Sequence, residues 1–203
     1  MNINRLREST AAEHRAVEGT MPFMKPDLTR EEYVACLQRL YGMVAAWDDT
    51  ACEQAPPSVQ DLLRPRRRGH LLKADLDWFG LVEEAENPPS LPDLSDEALF
   101  LGALYVMEGS TLGGQLIARH VEETLGLEPG RGDLYFRGHG MQTGPMWKEI
   151  CDLLRTRVPE DQSDRVIESA RRMFLAFESW MRSDVCAPHS QSNERCCLVH
   201  HNG

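Results

Sequence analysis

Residues 99–126 read LFLGALYVMEGSTLGGQLIARHVEETLG, and this stretch decides the fold class of the 203-residue chain. Its length and its apolar pattern are typical of a helix. Gly109, Gly113 and Gly114 nevertheless interrupt it, and each glycine in a helix interior costs about 1 kcal/mol relative to alanine. Three such residues require a reason, and they predict a long helix that kinks where they occur.

Two explanations of these glycines remain open from the residues alone. Gly109 and Gly113 are four positions apart and therefore line one face of the helix. The backbone along that face can approach a large flat ligand, or it can pack closely against another helix through small residues. A transmembrane helix pair is disfavoured, because Glu108, Gln115 and Arg119 lie in the same segment.

The rest of the chain also reads as helices, with no alternating β-branched run of strand length. Residues 126–144 contain six glycines and are predicted to form a loop. The fold class is therefore all-α. The predicted helices cover residues 2–18, 30–46 with a continuation over 48–54 after a bend, 58–64, 66–79, 95–125, 145–157 and 160–184.

Length and composition set further limits. The chain has the size of one domain, which we place at residues 1–185, followed by a tail at 186–203 that is predicted to be disordered. A net charge of −10 argues against sequence-independent nucleic-acid binding, which relies on cationic contacts to phosphates. The apolar stretch at 98–107 is too short to span a membrane.

The N-terminus lacks the apolar core of a secretory signal, so the expected compartment is the cytoplasm. The chain has six cysteines but no C-x-x-C pair. Reduced thiols are therefore expected, and a structural zinc site is not.

His14 is the first candidate for chemistry. On a helix it shares a stripe with apolar residues, so it is either a core histidine bonded to a neighbour or a ligand to a metal or heme. Arg7 lies on the same stripe, about 10 Å away by helical rise. Its guanidinium can pair with a carboxylate through two hydrogen bonds, although a solvated surface charge is the simpler interpretation. The full stripe comprises Ile3, Arg7, Thr10, His14, Val17 and Met21.

Two motifs resemble those of the heme oxygenases. They are LREST-AAEH at residues 6–14 and YVMEGSTLGGQLIARHV at residues 105–121. The likeness is greatest to the bacterial branch that makes biliverdin, often beside bacteriophytochromes. It covers most of residues 3–180, and the histidine and the first distal glycine are 95 positions apart, as the family's first and distal helices require.

The resemblance implies a single-domain helical fold with heme held between the first helix and a glycine-kinked distal helix. His14 matches the axial ligand of the heme iron, and Arg7 and Lys148 match contacts to the heme propionates. The positions expected over the opposite heme face are Gly109, Ser110, Gly113 and Gly114. Heme b would be both cofactor and substrate, cleaved with dioxygen to biliverdin, carbon monoxide and ferrous iron.

Electrons for this reaction are expected from a ferredoxin or another reductase. No G-x-G-x-x-G follows a strand, and the chain has no room for a flavin or nicotinamide domain. Arg7, Arg119 and Lys148 are the candidates for a local basic docking patch on an acidic chain. The likeness also suggests a place in a bacteriophytochrome pathway.

Ser110 departs from the family pattern, because animal-type members carry an aspartate there that holds a water network. A hydroxyl can hold water, but it is a weaker anchor than a carboxylate. A non-catalytic heme carrier or sensor with the same fold therefore stays open as an alternative. Asp152 lies near the place where some members carry a further basic residue, which leaves propionate binding to Arg7 and Lys148.

Other conspicuous residues are expected to have ordinary structural roles. Nothing near Cys36 or Cys151 suggests an activated thiol. His120 is expected in the core or at the rim of the site. His70 is expected to be exposed, and the aromatic residues Tyr135, Phe136 and Trp147 are expected to pack in the interior.

Overall fold

The computed structural model describes residues 1–81 and 89–183, and within these ranges it contains helices and turns but no strand. The predicted all-α class is thus confirmed, whereas the tail predicted at 186–203 lies outside the described residues. The α-helices are α1 (Ile3–Ser9), α2 (Ala11–Glu18), α3 (Arg30–Gln54), α4 (Gln60–Leu63), α5 (Gly69–Trp78), α6 (Glu97–Gly109), α7 (Gly114–Leu125), α8 (Leu134–Arg137), α9 (Thr143–Arg157) and α10 (Ser163–Arg182).

The predicted first helix is two helices, because the backbone leaves helical geometry at Thr10, with φ −113° and ψ 5°. The Thr10 hydroxyl donates to the carbonyl of Leu6 at 2.9 Å, a local bond that competes with regular helix geometry. The amide of His14 still donates to the carbonyl of Thr10 at 3.0 Å. The chain therefore bends at Thr10 but keeps its register.

Helix α3 begins at a capping box in which Thr29 and Glu32 satisfy each other's backbone amides. The bend predicted after residue 46 is wrong, since α3 continues without interruption to Gln54. The face that carries Trp47 and Ala51 stays buried through that region, so packing keeps the helix straight.

The predicted long helix at 95–125 breaks into α6 and α7 at residues 110–113, where the glycines occur. In this turn, Thr111 donates to Glu108 at 3.0 Å and Leu112 donates to Gly109 at 3.2 Å. These bonds span three residues instead of four, which tightens the backbone. We call Ser110–Gly113 the distal turn.

The prediction of a plain loop at 126–144 is wrong, because it contains the one-turn helix α8. The buried Asp75 of α5 accepts hydrogen bonds from the amides of Leu134 and Tyr135, at 2.8 and 2.9 Å. This carboxylate satisfies the free amides at the start of α8. Its position 59 residues earlier in the chain explains why glycine content alone missed the helix.

Three segments run in the same direction through the centre of the molecule. Contacts of α10 with α1 and α2 proceed from Arg5–Asp164 to Ser9–Arg171 and then His14–Phe174. Contacts of α10 with α6 proceed likewise, from Asp96–Arg165 to Leu99–Ser169. The C-terminal ends of α2 and α6 therefore reach the same end of the molecule.

Gly102 allows α6 and α10 to pack closely together. A Cβ atom at this position would overlap the carbonyl oxygen of Val166, so only glycine fits the observed distance between the helices. Helix α9 runs the opposite way, with its C-terminal end at Met1 and Trp147 of its first half near Tyr105. None of the helices in residues 1–81 and 89–183 has the length and apolar character needed to cross a membrane.

Candidate active site

A contact between Thr10 and Tyr105 marks the base of the candidate site. The hydroxyl of Thr10 lies close enough to the phenol of Tyr105 to lower its pKa, which burial raises overall. His14 lies one helical turn after Thr10, and Gly109 lies one helical turn after Tyr105. Each is therefore on the same helix face as the contacting residue before it. A side chain on α2 thus stands opposite a position on α6 that has none.

The His14 imidazole is available as a ligand. Half of the side chain is exposed, at 52%, which excludes the buried core histidine that the sequence left open. Its Nδ1 atom lies 3.4 Å from Oε2 of Glu18, one turn later on α2, and its ring meets Phe174 edge-on at 5.7 Å. With Nδ1 directed at a carboxylate, Nε2 is the atom left for a metal.

The three glycines have different surroundings. A Cβ at Gly109 would lie 3.6 Å from the ring of Trp147, an ordinary contact, and one at Gly113 would meet nothing within 4 Å. A Cβ at Gly114 would overlap the carbonyl oxygen of Phe136 in α8. The close packing of α7 against α8 therefore requires glycine at position 114, whereas Gly113 faces open space.

The hydroxyl groups of the distal turn are engaged within the protein. Ser110 Oγ donates to the carbonyl of Met107 at 2.7 Å, and Thr111 Oγ1 donates to the carbonyl of Glu108 at 2.6 Å. Serine and threonine commonly bond in this way to a preceding turn of helix. In this arrangement the Ser110 proton points back at its own helix.

Two predicted anion-binding residues lie on different helices. Arg7 is exposed on α1, and its charge is close enough to Tyr105 to lower that group's pKa against the effect of burial. Lys148 is 75% exposed on α9 and pairs with Asp152, one turn later. Arg7 is thus placed beside the Thr10–Tyr105 contact, while Lys148 is engaged on its own helix.

Two buried arginines behind the distal turn escaped the sequence analysis. Arg66 and Arg68 are 5% and 3% exposed, although a run of arginines usually marks a solvated surface. Arg68 Nη2 donates to Met107 and Ser110, and Arg66 Nε lies 3.3 Å from Glu108. Burial raises the pKa of Glu108, and both arginines oppose that rise.

Trp147 also belongs to the site, although it was expected only to pack. It is half-buried, lies 5.3 Å from the ring of Tyr105 and covers the Gly109 face. The expectations for Tyr135 and Phe136, both buried, and for His70, which is exposed, are confirmed.

The available protein ligands suit a metal that is already bound within a larger cofactor. Among residues 1–81 and 89–183, no three His, Cys, Asp or Glu side chains cluster as metal ligands. His14 offers a single exposed imidazole, and the distal turn and the start of α7 offer open space at Gly113 and exposed apolar side chains at Leu112 and Leu116. One imidazole and a separate apolar surface fit a planar macrocycle that already holds its metal.

Comparisons with known proteins point to one family. The family model described as heme oxygenase matches residues 2–183. A heme oxygenase from Xanthomonas campestris pv. campestris is 27% identical over 157 residues, covering 76% of this chain and 92% of that protein.

Solved structures with the same fold include three bacterial heme oxygenases. The structure from Leptospira interrogans has a TM-score of 0.70 at 20% identity, covering 87% of this chain and 96% of that one. The NO- and CO-bound heme oxygenase of Neisseria meningitidis has a TM-score of 0.69 at 22% identity, covering 92% and 96%. Heme oxygenase-1 of the cyanobacterium Synechocystis, solved in complex with heme, has a TM-score of 0.63 at 15% identity, covering 88% and 89%.

Proposed function

The chain belongs to the heme oxygenase family, and from this premise we propose that His14 binds the heme iron through Nε2. The activity is that of a heme-degrading oxidoreductase, with heme as substrate. The observation that carries the assignment of His14 is the Thr10–Tyr105 contact. His14 and Gly109 lie one helical turn beyond this contact, on α2 and α6 respectively, and we propose that the flat ligand lies between them.

Glu18 and Phe174 hold the imidazole in place. Oε2 of Glu18 lies 3.4 Å from Nδ1, so its charge favours an Nδ1–H group and the tautomer with a free Nε2 lone pair. The edge-on contact with Phe174 restricts rotation of the ring. The ring is therefore already oriented relative to α2 when it binds iron.

The glycines of α6 and the distal turn form the opposite face. Absence of a side chain at Gly109 and Gly113 lets the backbone lie close to the ligand plane, and Trp147 excludes water beside Gly109. We propose that Gly114 serves this face indirectly, by seating α7 on α8, and that Ser110 shapes the turn. When bound, heme supplies the iron that binds dioxygen and the porphyrin ring that is cleaved.

Arg7 and Lys148 are the proposed partners of the two propionates. Arg7 is exposed next to the Thr10–Tyr105 contact, where its guanidinium can accept a bidentate carboxylate. Lys148 must exchange Asp152 for a propionate, and exchange of one exposed carboxylate for another costs little. Arg7 is therefore expected to contribute more to heme affinity than Lys148.

We further propose heme b as the form of the substrate and biliverdin, carbon monoxide and ferrous iron as the products. Dioxygen is the oxidant, and a ferredoxin or another reductase supplies electrons. A cytoplasmic location and a place in a bacteriophytochrome pathway remain predictions from the sequence. The non-catalytic carrier or sensor gains no support from the family relationship.

Hemin titration followed by single turnover tests the proposal. The parent protein should give a Soret band typical of histidine ligation, and this band should decay to biliverdin under ascorbate or reduced ferredoxin. His14→Ala should lose the histidine-ligated spectrum. His120→Ala is the control, since that ring bonds the carbonyl of Lys25 away from the site. An unchanged ferric spectrum in His14→Ala would overturn the assignment, and binding without turnover would favour a carrier.

A further inference from the structure

Arg68 is a buried cation for which the proposed reaction has so far supplied no role. It directs Nη2 at two acceptors in the distal helix, the carbonyl of Met107 at 2.9 Å and Oγ of Ser110 at 3.1 Å. Met107 lies in the last turn of α6, and Ser110 is the first residue of the distal turn. One nitrogen atom thus joins the helix to the turn that follows it.

The carbonyl of Met107 needs this partner because the helix breaks beyond it. In a continuous α-helix the amide of Thr111 would donate to Met107, but here that amide donates to Glu108. The Met107 oxygen is left to the hydroxyl of Ser110, at 2.7 Å, and to Arg68. A buried carbonyl without a partner is costly, so these two bonds stabilise the broken geometry.

The side chain of Arg68 is itself fixed by other elements. Its backbone amide donates to Oδ2 of Asp48 in α3 at 3.1 Å, and its guanidinium carbon lies 4.8 Å from the ring centre of Tyr135 in α8. Such a contact between a cation and an aromatic face is attractive. The residue is therefore held at its backbone by Asp48 and at its guanidinium by Tyr135 before any ligand binds.

We propose that Arg68 is a positioning residue that sets how closely the backbone of Gly109 and the distal turn approaches the bound ligand. Through its bond to Ser110 Oγ it holds the turn in this geometry. The identity of the ligand rests on the proposed function. The bonds from Arg68 to Met107 and Ser110, which we call the joint, do not depend on that identity, because they exist in the protein without heme.

The neighbouring arginines provide a matched control. Arg66 pairs with Glu108 and with Glu149 at 2.6 Å, so its removal would leave buried Glu108 without its partner. Arg67 is half-exposed and pairs with Asp49 at 3.6 Å on the surface. Arg67→Met therefore changes charge and size as Arg68→Met does, but leaves the distal turn untouched.

Hydrogen exchange on the heme-free protein tests the joint directly. In Arg68→Met the amides of the distal turn and of the last turn of α6 should exchange faster, while those of α3 and α10 keep their protection. Arg68→Lys should restore part of the protection, since an ammonium can donate to both acceptors. Unchanged exchange in Arg68→Met, or an equal rise in every helix, would overturn the proposal.

A spectroscopic measurement separates positioning from simple stabilisation. In the ferrous CO complex of the hemin-loaded protein, the C–O stretching frequency should shift in Arg68→Met and in Ser110→Ala, and it should stay unchanged in Arg67→Met. The double variant should shift no further than the larger single shift, because both residues act through one joint. A parent-like frequency in Arg68→Met would contradict positioning. Failure of the parent protein to bind hemin would overturn the proposed function, while the exchange experiment would still decide the role of Arg68.

Discussion

Gly113 and Gly114 are adjacent in the sequence but meet different surroundings, and this difference can be measured. Gly114→Ala should lower the free energy of unfolding by about 1–3 kcal/mol, because the new methyl group overlaps the backbone of Phe136. Gly113→Ala should leave stability unchanged or raise it by up to about 1 kcal/mol, since its site is open. Urea unfolding of the heme-free variants makes the comparison. Equal losses in both would contradict it.

A larger side chain at Gly113 should act on ligand binding and not on folding. Gly113→Leu places a branched side chain in the space proposed for heme, so hemin affinity and biliverdin yield should both collapse while the unfolding curve keeps its midpoint. Optical titration and circular dichroism provide the two readings. A Gly113→Leu protein that turns over normally would remove this position from the distal face.

Glu18 should affect how tightly the His14 imidazole binds the heme iron. Glu18→Gln keeps an acceptor near Nδ1 but removes the charge, and loss of such an outer partner typically costs 10–100-fold in metal affinity. Because the side chain is 62% exposed, we expect a loss near 10-fold or below in hemin affinity. Glu53→Gln, an exposed site on the last turn of α3, is the control for charge. Tighter binding in Glu18→Gln would contradict the orientation argument.

For individual residues, the sequence predicted the helix face that each one occupies better than it predicted their hydrogen-bond partners. The stripe through His14 and the spacing of Gly109 and Gly113 could be read directly, and Glu18 is readable too as the residue one turn after His14. Arg68 could not be found, because its acceptors lie 39 and 42 positions away. Such pairings depend on how α5 packs against α6, which no local pattern contains.

Among the elements, α8 depends on a carboxyl group whose ionisation is costly. Burial raises the pKa of Asp75 to about 6 from its ordinary 3.8, and nearby Asp133 adds to the rise. The folded protein thus holds this proton more tightly than the unfolded chain, so stability falls as pH rises from about 4 to about 6 and is level above that. For this group the loss is about 3 kcal/mol.

The prediction is that Asp75→Asn removes this component of the pH dependence. The difference in unfolding free energy between the parent and Asp75→Asn should change by roughly that amount between pH 4 and pH 7. Asp77→Asn, exposed on the same helix, is the control for removing a surface carboxylate. A constant difference for Asp75→Asn would show that the carboxyl group titrates normally.

Helices as such were predictable, and their interruptions were less so. Apolar periodicity located α3, α6, α7, α9 and α10, and glycine marked the break before α7. The bend at Thr10 and the one-turn helix α8 were missed because side-chain bonds, from Thr10 to Leu6 and from Asp75 to α8, decide them. Both missed features hold the parts of the site that face the ligand.

For the molecule as a whole, the excess of negative charge constrains how an acidic electron donor could dock. Arg119 is exposed on α7 and lines an open pocket of about 320 Å³ with Gln115 and Met141. If a ferredoxin docks there, turnover with ferredoxin should fall as salt rises, because salt screens exposed charges beyond about 8–10 Å. Turnover with ascorbate should vary far less.

Charge reversal locates the docking surface. Arg119→Glu should slow the ferredoxin-driven reaction and spare both the ascorbate reaction and hemin affinity. Arg165→Glu is the matched control, since Arg165 pairs with Asp96 at the opposite end of α6. Equal effects of Arg119→Glu with both reductants would exclude this surface, although an external donor would still be needed.

The close packing of α6 against α10 at Gly102 determines which helices around the site can move when a ligand enters. Backbones in van der Waals contact cannot slide or separate without opening a void, so α6 and α10 form a stiff unit. Compliance must then reside in α2, which bends at Thr10, because the distal turn is held by Arg68. We therefore expect entry of a bulky planar molecule to displace α2 while the distal turn and the seam between α6 and α10 keep their positions.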